Sequence, residues 1–142
     1  MDEFKGKVAL VVDDEQDNID FISQILEDHG FQTFSAKNGK EALTKVVERK
    51  PDIVFLDLMM PEQSGMAFFN SFKRQEDFKR VPVIVVSGAS KVTGVDMKAY
   101  IYDNARSEKK KKVVGIDAKP DAFVEKPVNP EALIETVKKV LS

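Results

Sequence analysis

The sequence predicts an α/β domain in which a parallel five-stranded sheet carries helices on both faces. Short apolar runs alternate along the chain with amphipathic stretches of helical length. The clearest of these runs are continuously apolar, as strands covered on both sides require. The connectors are mostly short, and right-handed crossovers then leave few arrangements other than a sheet wrapped on both faces. With 142 residues, the chain has the size of one domain around one core.

Each element follows from local pattern. Residues 7–12 (KVALVV) read as the first strand. Over 18–29, Ile19, Ile22, Ile25 and Leu26 fall at helical spacing, and Gly30 follows as a C-cap. Residues 31–36 form a second strand of more mixed character, and 40–49 a helix with Ala42, Leu43, Val46 and Val47 inward. Pro51 stops that helix, and 52–57 (DIVFLD) is a third buried strand. Residues 65–75 are a helix bearing Phe68, Phe69 and Phe72, which read as core and not as a ligand box. Residues 82–87 (PVIVVS) and 121–125 (DAFVE) supply strands four and five. Residues 130–141 close the chain as a helix with Pro130 in its first turn, where a missing N–H costs nothing. No repeat is present, and the one low-complexity stretch is the lysine run at 109–112.

Composition removes several function classes. The absence of cysteine excludes disulfides, thiolate metal sites and cysteine nucleophiles. A net charge of −2 gives no reason to expect direct nucleic-acid binding. The apolar run at 8–12 follows a charged start and is too short for a signal peptide or a membrane span. A cytoplasmic protein with no membrane contact is therefore expected.

In a parallel α/β sheet, ligands bind beyond the carboxyl ends of the strands. Strand one runs into Asp13-Asp14-Glu15, strand three ends at Asp57, strand four ends at Ser87, and strand five is followed by Lys126-Pro127. Connectivity alone brings these groups to one edge. Crowded carboxylates repel unless a cation neutralises them, and a hard divalent ion such as Mg²⁺ is the natural partner. Asp57 would then be a nucleophile forming an aspartyl-phosphate. The Lys126 ammonium and the Ser87 hydroxyl would help hold the phosphoryl oxygens. Taken singly, Asp13-Asp14 could cap the next helix, and Asp57 or Ser87-Gly88 could be ordinary turn residues. The conjunction of four strands delivering four suitable groups is what argues for a site. His29, alone at a helix end, reads as a cation against the helix dipole and not as a phosphohistidine.

At this point the chain resembles the response-regulator receiver family. The segments that carry the resemblance are VALVVDDE at 8–15, PDIVFLDLMMPEQSG at 51–65, VPVIVVSGAS at 81–90 and AFVEKPVNPEAL at 122–133. The resemblance implies a flavodoxin-like strand order 2-1-3-4-5 across one receiver domain at 1–142. It implies that Asp57 is the phosphoacceptor, and that Asp14, Asp57 and the Met59 backbone carbonyl ligate Mg²⁺ (or Mn²⁺ in its place), with Asp13 assisting through water. Lys126 would contact the phosphoryl group, with Ser87 and Phe123 as the switch pair. The Lys126–Pro127 bond is expected to be cis. A sensor histidine kinase or histidine phosphotransfer protein would be the donor. A downstream protein, or an output domain missing from this chain, would receive the signal, and homodimerisation stays open. Such a protein is a switch, not an enzyme beyond its own phosphoryl transfer and autodephosphorylation.

The chain departs from the family pattern between strands four and five. Residues 88–120 lie there, more than the about 16–24 that a helix and two connectors need. A helix at 95–105 leaves an insertion around 105–120, within what is the family's usual signalling face: the fourth helix, strand five and the last helix. The lysine run inside it reads either as a solvated surface or as a docking patch. Two other functions compete with the switch. One is a receiver-like scaffold that is never phosphorylated. The other is an aspartate-nucleophile phosphohydrolase, for which Met59 stands where a second carboxylate is required.

Overall fold

The computed structural model describes residues 3–61, 64–88 and 120–142. The expected helix at 95–105, the insertion around 105–120 and the lysine run at 109–112 lie outside the described residues.

Five strands form one parallel sheet in the order β2-β1-β3-β4-β5, the order the resemblance implied. They are β1 (Val8–Val12), β2 (Gln32–Ala36), β3 (Ile53–Leu56), β4 (Val83–Ser87) and β5 (Ala122–Glu125). Four helices are described: α1 (Gln16–Asp28), α2 (Gly39–Glu48), α3 (Ser64–Arg74) and α4 (Pro130–Leu141). In register, Val12 lies beside Ala36 on one side and Leu56 on the other, so the first three strands end level.

Continuously apolar strands bury side chains on both faces, and two cores result. Leu10, Val12, Val54, Leu56, Val83 and Val85 pack with Ala42 and Val46 of α2 and with Phe68, Phe69 and Phe72 of α3. The alternate residues Ala9, Val11, Ile53, Phe55, Ile84 and Val86 pack with α1 and α4. The four inward residues expected of α1 are all buried. In α2, however, Val47 is 77% exposed, although helical spacing placed it inward. The apolar arc of α2 is narrow, Ala42 and Val46 one turn apart fill it, and Val47 lies around the helix from them.

The ends of the helices fit ordinary capping chemistry. Asn38 caps α2 by accepting from the Glu41 N–H at 2.8 Å, and Asn129 caps α4 by accepting from the Ala132 N–H at 3.0 Å. Gly30 takes φ of 101° directly after α1, a conformation that favours glycine. His29 pairs with Glu3 at 2.9 Å, which agrees with a structural role. Glu3 also meets Lys138 of α4, and Phe4 stacks on Phe31 at 4.8 Å between ring centres. Among the described residues no helix is long and apolar enough to cross a membrane.

Candidate functional site

The groups named from sequence meet where the strands end. The Asp13 N–H donates to the Ala36 carbonyl of β2 at 3.1 Å, and the Asp57 N–H donates to the Val12 carbonyl of β1 at 3.0 Å. These are sheet hydrogen bonds carried one residue past the strands, so both aspartates inherit the rigidity of the sheet. Asp13, Asp57 and Ser87 are the buried polar residues among those described. Lys126 follows β5 directly, and its N–H donates to the Ser87 carbonyl at 3.2 Å, which ties the ends of β4 and β5 together. The Lys126–Pro127 bond is cis, as expected.

Carboxylate oxygens of Asp13, Asp14 and Asp57 lie within 4.8 Å of one another. The Lys126 ammonium donates to Asp13 Oδ2 at 2.8 Å and to Asp57 Oδ2 at 3.0 Å. The remaining oxygens are also engaged: Asp13 Oδ1 accepts from the Glu15 N–H at 2.9 Å, and Asp57 Oδ1 from the Met59 N–H at 2.8 Å. Both are tight turns closed by the side chain two residues back. Asp13 does not cap α1, whose N-cap is Glu15 and has no side-chain cap.

The electrostatics follow from this crowding. Burial pushes the Asp57 carboxyl above its ordinary value and the nearby Asp13 charge adds to this, against the pull of the Met59 N–H and of Lys126. Asp14 is also raised, by desolvation first and then by the charges of Asp13 and Glu15. Burial works to lower Lys126, but its bonds to Asp13 and Asp57 outweigh this and hold it above the usual lysine value. The Lys126 ammonium does not hold Asp57 down, because the desolvation of the buried carboxyl outweighs its pull. Such a donor set, all oxygen with negative charge in excess, is compatible with a hard divalent cation.

Ser87 Oγ is buried and has no hydrogen-bond partner among the described residues. Phe123 is half-buried against the core under α2 and α3, and stands beside Val85 in register. Met59 is exposed next to the cluster. Sequence reasoning paired Lys126 with a phosphoryl group and did not foresee that it bridges Asp13 and Asp57. It also passed over Gly65, although the glycine closes the quoted motif at 51–65. A methyl group added there would lie 2.4 Å from the Asp57 carbonyl oxygen.

Comparison with known proteins agrees with this fold. The family model of the response regulator receiver domain matches residues 9–103. This chain belongs to the response regulator receiver family. The matched stretch holds Asp13, Asp14, Asp57 and Ser87. The phosphate regulon transcriptional regulatory protein PhoB of Pseudomonas aeruginosa is 31% identical over 136 residues, covering 96% of this receiver domain and 52% of that protein. The receiver domain thus spans about half the length of PhoB. The polar-differentiation response regulator DivK of Brucella anthropi is 28% identical over 135 residues, with 95% of this chain and 96% of the relative covered. The solved structure of the chemotaxis protein CheY4 of Vibrio cholerae matches with a TM-score of 0.69 at 28% identity, covering 94% of this chain and 98% of that one. Receiver domains of two-component response regulators are phosphorylation switches, not classical enzymes.

Proposed function

We propose that this receiver domain accepts a phosphoryl group on Asp57 in a reaction that needs Mg²⁺. The observation that carries the reading is the convergence of Asp13, Asp14, Asp57 and Lys126, delivered by three separate strands, on one crowded edge. Asp13, Asp14, Asp57 and the Met59 carbonyl would hold the cation, with Mn²⁺ able to substitute. When bound, Mg²⁺ supplies positive charge for the phosphoryl oxygens. Asp57 attacks phosphorus with a carboxylate oxygen; the new O–P bond forms as the donor's bond to phosphorus breaks, and its electron pair leaves with the donor. A sensor histidine kinase or a histidine phosphotransfer protein is the donor that the family suggests.

The protein's own groups divide the work. Lys126 already stands against Asp57 and would turn its ammonium to a phosphoryl oxygen once that carboxylate is esterified. The Ser87 hydroxyl, which has no partner among the described residues, has a hydrogen bond to gain by moving toward the phosphoryl group. Phe123 would follow into the space that Ser87 vacates and relay the change to the face that β5 and α4 help to form. A downstream protein, or an output domain, would read that face in the cytoplasm.

Incubation with Mg²⁺ and a small acyl-phosphate donor, followed by intact mass measurement, tests the reading. One added phosphoryl group is expected, absent without Mg²⁺ and absent in Asp57→Asn. A folded protein that gains no phosphoryl group and binds no beryllofluoride would refute it and leave an unphosphorylated binding scaffold.

A further inference from the structure

Two glycines brace the loop that carries Asp57, and they act at different removes. Gly65, in the first turn of α3, lies against the phosphoacceptor's own peptide: a methyl built there falls 2.4 Å from the Asp57 carbonyl oxygen and 2.9 Å from Leu58 Cα. Gly39 opens α2 and lies against the residue before Gly65. A methyl on Gly39 falls 2.1 Å from the Ser64 carbonyl oxygen and 3.1 Å from Phe68 Cβ. These neighbours are backbone atoms and a Cβ on α3, so none can swing aside as the tip of a long side chain would.

Gly39 does not have the positive φ that marks Gly6 and Gly30. Its backbone would accept alanine, and only the space is lacking. Nor is α2 free to retreat. Asn38 Oδ1 accepts from the Glu41 N–H at 2.8 Å while Glu41 Oε1 accepts from the Lys37 N–H at 3.0 Å, which pins the first turn from both sides. Ala42 and Val46 anchor the rest of the helix in the core. A push at Gly39 therefore falls on the first turn of α3, and the next residue of that turn is already in contact with Asp57.

We propose that Gly39 is a positioning residue for Asp57, acting through Ser64 and Gly65, so that the packing of α2 sets the pose of segment 57–59. The functional consequence rests on the reading of Asp57 as metal ligand and phosphoacceptor, but the displacement itself does not.

The full chain can be tested as Gly39→Ala beside two controls. Val46→Ala opens a cavity on the same helix, away from Ser64. Ser64→Ala removes a buried hydroxyl that has no partner among the described residues and leaves the carbonyl in place. Metal-free amide NMR spectra should show the Asp57, Leu58 and Met59 signals displaced in Gly39→Ala and unmoved in both controls. Calorimetric titration with Mg²⁺ should show affinity weakened about tenfold or more in Gly39→Ala alone, since misplacement by about an ångström is costly to a preorganised site. Unmoved amides in Gly39→Ala, or equal movement in Val46→Ala, would overturn the proposal. If the native chain fails to bind Mg²⁺, the metal reading falls, while the metal-free amide shifts still decide the role of Gly39. Should Gly39→Ala not fold, the native protein supplies the test, because coupling is reciprocal. Mg²⁺ should then slow hydrogen exchange at the Ala42 amide, which donates to the Asn38 carbonyl at 3.1 Å. Exchange that Mg²⁺ leaves unchanged would count against the coupling.

Discussion

Replacing Lys126 with methionine keeps most of the side-chain stem and removes the ammonium that two carboxylates share. In the native site it lies 2.8 Å from Asp13 Oδ2 and 3.0 Å from Asp57 Oδ2. The carboxylate side chains are 2% and 7% exposed and that of Lys126 19%, so these contacts belong with buried pairs. Removing one partner of a buried pair costs about 3–5 kcal/mol, against about 0.2–1 kcal/mol for an exposed one. The residual exposure of Lys126 lets water screen part of this. Asp57, already raised by burial, can also take up a proton and relieve the repulsion. A loss of about 2–3 kcal/mol is therefore expected in urea unfolding of the metal-free variant at neutral pH. The truncation also strips the competing cation from Asp13 and Asp57. A pair of unit charges about 4 Å apart interacts by about 4 kcal/mol at an effective dielectric constant of about 20. Excess Mg²⁺ should thus stabilise Lys126→Met more than it stabilises the parent. A loss below about 1 kcal/mol, or equal stabilisation by Mg²⁺, would refute the assignment of Lys126 as the cation that balances Asp13 and Asp57.

Three other perturbations separate packing from charge elsewhere. Gly65→Ala should cost about 1–3 kcal/mol by overpacking against the Asp57 peptide, read from the urea midpoint; an unchanged midpoint would show that α3 yields freely. On α2, Val47→Lys should stay within about 0.5 kcal/mol of the parent while Val46→Ala costs about 2 kcal/mol, and equal costs would contradict the exposure of Val47. Lys73 of α3 donates to the Val81 carbonyl beside Asp121, and burial holds its pKa below the usual lysine value against the pull of that carboxylate. A lysine depressed in the folded state carries an unfavourable contribution while both states are protonated. That contribution is relieved as pH rises from the lowered folded value to the ordinary one near 10.5. The stability of the parent relative to Lys73→Met should therefore climb through that alkaline window, and a flat difference would remove the claim.

Much of this architecture was legible in the chain because buried parallel strands leave continuous apolar runs. KVALVV, DIVFLD and PVIVVS needed no tertiary information to be read as strands, and their ends located Asp13, Asp57 and Ser87. Helix faces were read well where large residues recur, as in α1 and α3. They were read poorly at Val47, because spacing cannot say how wide the covering surface is. Pairing was the harder matter. That Lys126 bridges Asp13 and Asp57 depends on how close two strand ends come, which no local pattern records. Gly39 and Gly65 were opaque for the same reason, since a glycine selected for contact with a distant backbone resembles one selected for a turn.

The bond between Lys126 and Asp13 joins residues 113 positions apart in the chain. During synthesis the carboxylates emerge first, and β5 with its lysine only after most of the domain has left the ribosome. An incomplete chain carries the acidic cluster without its ammonium, and its central strands end in unbalanced negative charge. The fifth strand thus completes the sheet and brings the ammonium to the carboxylates in one event, so that relief of the charge at this edge reports that β5 has paired with β4.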